Sequence, residues 1–331
     1  MRFGTVAVVG RSNVGKTTLL NAALGEALAV VSPVPQTTRD VLLGVVHRPT
    51  SQIAFLDTPG LHRPRSELGR RMNQNALEAA RSADVVLLMT DVCGLERRGK
   101  HLDSRGALPE SPALAEDRAL CSELAKRSVQ RLLVINKVDR LRQKNKLLAL
   151  MDALAKLADF QAILPVSMLH SADAERVLGE LELLLPERPA AYDADTLTDR
   201  PVSFFVREYV REQVLHCASG EIPHAVAVDL DAMYQAPEST LIQATLRVQK
   251  VGQRKILVGQ AGEKIRRIGT QARLRIEKFL GSKVRLELFV RVDPRWKNLP
   301  SQLVELGYTQ PESGRALPEV FDRIANRRAL S

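Results

Sequence analysis

Short apolar runs punctuate the first 185 residues at positions 5–9, 53–56, 85–89, 132–135 and 163–166. Runs this short and this uniformly apolar suit strands buried on both faces of a parallel sheet. Between them, apolar residues return every three or four positions, predicting helices at 16–23, 66–82, 117–126 and 145–158. Positions 42–46 add an edge strand. Alternating strands and helices predict an α/β fold: a mostly parallel six-stranded sheet with helices on both faces, spanning 1–185. The rhythm breaks at 94–116, where Gly, Pro, Ser and mixed charges lack periodicity; this reads as a surface loop or disordered insertion. A stretch with two prolines and several acids, 186–200, reads as a linker. Beyond it, 206–217 and 262–281 look helical, while 225–231 and 284–292 alternate like strands, predicting a smaller α+β domain at 201–309. The polar tail 310–331 is assigned no role.

Composition narrows the class. Hydrophobic residues make up 45% of the 331-residue chain, enough for a substantial core. No apolar run approaches the ~20 residues of a membrane-spanning helix. The N-terminus enters a strand without a basic-then-apolar leader, and Cys93, Cys121 and Cys217 are too scattered for a disulfide framework or a zinc site. The expectation is a cytoplasmic protein. A basic face permits peripheral attachment at the inner membrane, although no amphipathic anchor is visible. The location of the charge matters more than its size. Residues 245–300 carry fifteen Lys or Arg against four acids, a local net of +11 in a chain of net +10. Such a stretch can neutralise the phosphates of a nucleic acid. A solvated basic surface without a partner is the alternative.

Candidate chemistry then enters at the strand ends. Gly10-Arg11-Ser12-Asn13-Val14-Gly15-Lys16-Thr17, with Thr18 after it, follows the first strand and opens the first helix, the setting a P-loop requires. The glycines let backbone N–H groups turn toward phosphate oxygens, and the helix N-terminus adds a favourable field. Lys16 is placed to reach the β- and γ-phosphates, and the Thr17 hydroxyl to ligate Mg2+. Asp57-Thr58-Pro59-Gly60 follows the next parallel strand, where Asp57 can hold Mg2+ through a water and Gly60 can offer its N–H to the γ-phosphate. Asn136-Lys137-Val138-Asp139 follows a third. The Asp139 carboxylate can accept two hydrogen bonds from guanine, a pair of donors that adenine lacks, so the site selects GTP. In 36–40, Thr38 is favoured over Thr37 as a third Mg2+ ligand, one that releases after hydrolysis.

The order GRSNVGKT, QTTRD, DTPGLH and NKVD resembles the Era-like GTPase family. RKILVGQAGEKI, followed by Ile268-Gly269, and then VRLELFV and Leu306-Gly307-Tyr308, is similar to that family's KH domain; the resemblance covers about residues 5–309. It implies a P-loop GTPase domain followed by a type II KH domain. It further implies a GTPase that binds 16S rRNA near its 3′ end and acts on the 30S ribosomal subunit during assembly, as a monomer and without DNA. The Gly259-Gln260-Ala261-Gly262 loop would clamp an RNA backbone, aided by Arg254, Lys255, Lys264, Arg266 and Arg267; from the residues alone, a G-x-x-G is also a helix–helix turn. Three features depart from the family pattern. Met168 follows Ser167 in the guanine-contacting segment, where Ala is usual. Gln260-Ala261 lacks a Lys. Segments 94–116 and 310–331 have no counterpart.

Leu61 stands where many small GTPases carry a water-orienting Gln, and an apolar side chain cannot align a nucleophile. Slow intrinsic hydrolysis is expected, with Lys16, Thr38, Gly60 and Mg2+ stabilising the transferring phosphoryl group. Asn13 matches the P-loop Asn with which related GTPases hold K+; its alternative role is a loop-stabilising hydrogen bond. A nucleotide-gated RNA-binding module with incidental hydrolysis is the runner-up. A tRNA-modification GTPase is disfavoured, because no cysteine has a supporting motif.

Overall fold

The computed structural model describes residues 1–62, 64, 66–93, 112–124, 129–141, 143–144, 146–218, 221–235 and 239–308. The first sheet comprises β1 (Arg2–Val9), β2 (Leu42–His47), β3 (Ser51–Asp57), β4 (Val85–Asp91), β5 (Gln130–Asn136) and β6 (Ala162–Pro165), in the order β2-β3-β1-β4-β5-β6. Only β2 is antiparallel, at one edge. Chain order reverses at β1, so the loops leaving β1 and β3 splay around the crevice where open α/β sheets bind ligands.

Helices α1 (Lys16–Leu24) and α5 (Ser171–Leu184) cover one face; α2 (Glu67–Ser82), α3 (Pro112–Leu124) and α4 (Lys146–Ala155) cover the other. Two of these correct or extend the sequence expectations. Residues 112–116, expected within an irregular insertion, are the first turn and a half of α3. Leu114, Leu120, Cys121 and Leu124 bury one stripe of that helix, and Pro112 suits its first position. The helical period was diluted by the aperiodic residues ahead of it; 94–111 lie outside the described residues. Helix α5 was not anticipated, yet Ala174, Val177, Leu178 and Leu181 have the spacing of a buried face.

The C-terminal part runs α6 (Val202–Cys217), α7 (Ile222–Ala225), β7 (Ala227–Gln235), β8 (Thr240–Val248), α8 (Val251–Val258), α9 (Glu263–Leu280), β9 (Val284–Val292) and α10 (Pro300–Glu305). Its sheet has the order β7-β8-β9, antiparallel then parallel, the arrangement expected of a type II KH domain. Strand β8 was not among the expected strands: Thr240 and Ala244 hold two of its five inward positions, although burial alternates along all nine residues. One apolar core is continuous from the α1/α5 face of the first sheet, through Phe205, Tyr209 and Val214 of α6, to Ile242, Leu246 and Ile276 beneath the second. The 186–200 segment runs along the first sheet's edge: Gln52 Oε1 accepts from the N–H groups of Ala191 and Tyr192 at 2.9 and 3.0 Å, and Val45 N donates to Leu197 O at 2.8 Å.

Candidate functional site

The loop 10–18 leaves β1 and wraps the N-terminus of α1. Gly15 has φ +112, and a Cβ there would meet Asn136 Nδ2 at 2.3 Å, so only glycine fits between this loop and 136–139. Asn136 Nδ2 donates to Val14 O at 2.8 Å, and Lys137 Nζ donates to Asn13 O at 2.5 Å. The two segments expected to hold phosphates and base are thus tied together by the protein's own hydrogen bonds. Gly60 approaches from the other side. A Cβ there would lie 2.6 Å from Ser12 Cα, and Leu61 N donates to Gly10 O at 3.2 Å. A cleft of about 450 Å³ opens over these segments, lined by Lys16, Thr17, Thr38, Gly60, Asp139 and Met168 among others.

Lys16 Nζ donates to Gly10 O and Arg11 O at 3.1 and 2.9 Å. Burial draws its ammonium down to about 8, against the attraction of Asp57. Thr17 Oγ1 donates to Asp57 Oδ2 at 2.7 Å and lies 2.9 Å from Thr38 Oγ1. Asp57 Oδ1 is buried without a partner among the described residues. Three oxygen donors gathered at one point, one of them a carboxylate with an unused oxygen, fit a hard cation such as Mg2+. Burial pushes the Asp57 carboxyl up to about 6, opposed by Lys16 and by hydrogen bonds from Thr17 and Thr38. Thr37 is turned away, its Oγ1 donating to Val34 O at 2.6 Å. Thr58 Oγ1 braces the loop by donating to Val8 O at 2.7 Å.

At the base end, Ser167 Oγ donates to Asp139 Oδ1 at 2.6 Å, orienting that carboxylate. The Met168 N–H donates to Asn136 Oδ1 at 3.0 Å. Met168 is therefore a support for Asn136 here, rather than a free donor at the cleft. Asn13, at φ 63, donates Nδ2 to Pro33 O at 2.6 Å, so its loop-stabilising role is realised.

Nine of the fifteen cations of 245–300 form two contrasting groups. Arg247, Arg273, Arg275 and Arg285 pair with Asp229, Glu277, Glu212 and Glu287. Arg254, Lys255, Arg266 and Arg267 are exposed and Lys264 is half-buried, and none has an acidic partner among the described residues. These flank the turn 259–262, which joins α8 to α9 with Ala261 at φ 48. Ile256 (50% exposed) and Val251 (60%) lie beside them, a mixed apolar and cationic surface suited to a nucleic-acid strand.

Sequence reasoning missed the residues that connect these places. Arg211 of α6, 1% exposed, donates Nη2 to Thr37 O and pairs with Glu208. Tyr209 OH donates to Leu28 O at 3.1 Å, and Arg200 Nη2 lies 2.8 Å from Asp40 Oδ2. Arg39 Nη1 donates to Val226 O at 2.7 Å, and its guanidinium lies 5.9 Å from the Trp296 ring centroid. No local motif marks them, because apart from the Arg211–Glu208 pair each bond joins positions more than 150 apart in the chain.

These features define a P-loop GTPase joined to a KH domain. The family model described as a 50S ribosome-binding GTPase matches residues 5–137, and the KH domain model matches 221–297. GTPase Era of Lactobacillus helveticus is 39% identical, over 94% of this chain and 97% of that one; GTPase Era of Alkaliphilus metalliredigens is 37% identical, over 93% and 99%. Crystalline Era in complex with MgGDPNP and nucleotides 1506–1542 of 16S ribosomal RNA superposes with a TM-score of 0.84 at 31% identity, over 93% of this chain and 99% of that one. An Aquifex aeolicus Era variant bound to GDP and AlF4- gives 0.83 at 31% identity, with the same coverage. The chain belongs to the Era family of GTPases.

Proposed function

We propose that this GTPase binds 16S rRNA near its 3′ end and times a step of 30S subunit assembly in the cytoplasm, with GTP hydrolysis slow until RNA is engaged. The observation that carries the reading is the clasp of α6 on the 27–40 segment. Arg211 and Tyr209 belong to the part proposed to bind RNA, yet they hold Thr37 and Leu28 ahead of Thr38, and the Val226 carbonyl holds Arg39 just after it. A change at the γ-phosphate that moves Thr38 must therefore reach the surface around Gly259–Gly262, and RNA there can act back on Thr38.

The roles of individual residues follow from the site. The loop amides and Lys16 hold phosphate oxygens, and Thr17, Thr38 and Asp57 would hold Mg2+, which when bound neutralises charge on the transferring phosphoryl group. Asp139, oriented by Ser167, accepts from guanine. Leu61, packed against the α2/α3 face, offers water no hydrogen bond, which supports a slow unaided rate. Asn13 Oδ1 accepts no hydrogen bond among the described residues and is the proposed K+ ligand. Equal hydrolysis rates in Na+ and K+ would remove that role.

The test is single-turnover hydrolysis with and without RNA of the 16S 3′ end, alongside RNA affinity with a GTP analogue and with GDP. Stimulation and a nucleotide-dependent Kd are expected. Unchanged rates together with equal RNA affinities would favour the nucleotide-gated binder in which hydrolysis is incidental.

A further inference from the structure

Arg11 occupies the first variable position of the phosphate loop, where a side chain is free to face solvent. Instead it turns inward: the side chain is 13% exposed and its Nε lies 3.0 Å from Oδ1 of Asp117, itself 1% exposed. Thr90 closes a triangle, accepting from Arg11 Nη2 at 3.0 Å and donating to Asp117 Oδ2 at 2.6 Å. Asp91 extends the network, 3.6 Å from Arg11 Nη2 and 2.5 Å from Lys137 Nζ. An ionised carboxylate this deeply buried is costly unless paired, so Arg11 and Asp117 hold each other in place. The backbone of Arg11 does two further things. Its carbonyl accepts from Lys16 Nζ at 2.9 Å, and it bridges to Leu61, whose N–H donates to the Gly10 carbonyl at 3.2 Å.

We propose that Asp117 of α3 is a positioning residue for the phosphate loop, acting through Arg11. It fixes where the Gly10–Arg11 peptide sits, and hence where Lys16 and the loop amides meet the phosphates. Helix α3 lies some hundred positions from the loop it braces, so a displacement of α3 would alter nucleotide affinity directly. The inference rests on the reading of 10–18 as the phosphate loop. Because the loop grips phosphates in ground and transition states alike, losing the brace raises Kd more than it lowers kcat.

The experiment uses the full chain and measures Kd for GDP and for a GTP analogue, together with kcat at saturating GTP. Lys16→Ala is the control for the loop reading itself: if nucleotide binding survives that change, the reading fails whatever Asp117 does. For Asp117→Asn, both Kd values rise about tenfold and kcat changes by less than about threefold. Arg11→Met gives the same loss, Arg11→Lys recovers most of it, and Arg11→Met/Asp117→Leu is no worse than either single change. A purely structural role would lower the melting temperature of the nucleotide-free protein and leave these Kd values within about twofold, which would overturn the proposal; so would single effects that multiply in the double variant. Should Asp117→Asn not fold, the near-isosteric Thr90→Val decides, with a rise of about threefold expected and no rise overturning the proposal.

Discussion

The phosphate loop and the 27–40 segment meet at Thr17 and Thr38, whose hydroxyls lie 2.9 Å apart, yet they are held by opposite means. The loop is braced within its own sheet and helices, by Asn136, Lys137 and the Arg11–Asp117 pair. The 27–40 segment is held largely from the C-terminal part, by Arg211, Tyr209 and Val226. The first arrangement suits a binding site that must keep one shape. The second suits an element whose position reports on what another surface is doing. Between the 27–40 segment and α6 lies a cavity of about 40 Å³, lined by Thr38, Asp57 and Arg211, room for a water or two. The buried Nη1 of Arg211 finds no partner among the described residues.

The comparison makes measurable demands. The largest effect is expected at the base end of the rigid side. Asp139→Asn removes the charged acceptor for guanine and should weaken GDP binding by about 2 kcal/mol, roughly thirtyfold in Kd by titration. Next comes Arg211→Met on the switching side, which should lower kcat about tenfold while leaving GDP affinity within about twofold, because only a γ-phosphate needs Thr38. If GDP affinity fell equally, the two regions would not be separable. Proton competition should be milder. With the Asp57 carboxyl pushed up to about 6 by burial, Mg2+ affinity of the nucleotide complex should decline as pH falls through 6, since the carboxylate must be ionised to bind a cation. A flat Mg2+ titration between pH 5 and 7 would show that Asp57 is not a ligand. Tyr209→Phe should be smallest, costing about 1 kcal/mol in thermal unfolding through the lost bond to Leu28 O.

What could be read beforehand depended on how far the information travels along the chain. The phosphate loop is a contiguous octapeptide whose chemistry is local; Lys16, Thr17 and Thr38 line one cleft, with Asp57 within hydrogen-bond distance of Thr17. Thr38 over Thr37 needed coordinates to decide, because adjacent threonines have the same chemistry and differ only in which way the backbone turns them. Met168 departs from the family pattern in the sequence, but that its N–H donates to Asn136 Oδ1 is a property of the folded chain. The basic stretch was visible as a charge count, but its division into paired and unpaired cations was not. Arg247 meets Asp229 through the register of β7 and β8 and Arg275 meets Glu212 through the packing of α9 on α6, whereas Arg273–Glu277 and Arg285–Glu287 are local pairs.

The sequence by itself determined the alternating α/β core, the order of the nucleotide-binding segments and the cationic G-x-x-G turn. Apolar period and short-range backbone chemistry are properties of neighbouring residues. Only the tertiary structure decided that Asp117 braces the phosphate loop and that Arg211 holds the carbonyl beside Thr38. Both are buried charges that need partners: Asp117 meets Arg11 from far along the chain, while Arg211, paired with nearby Glu208, reaches the Thr37 carbonyl only once the chain has folded.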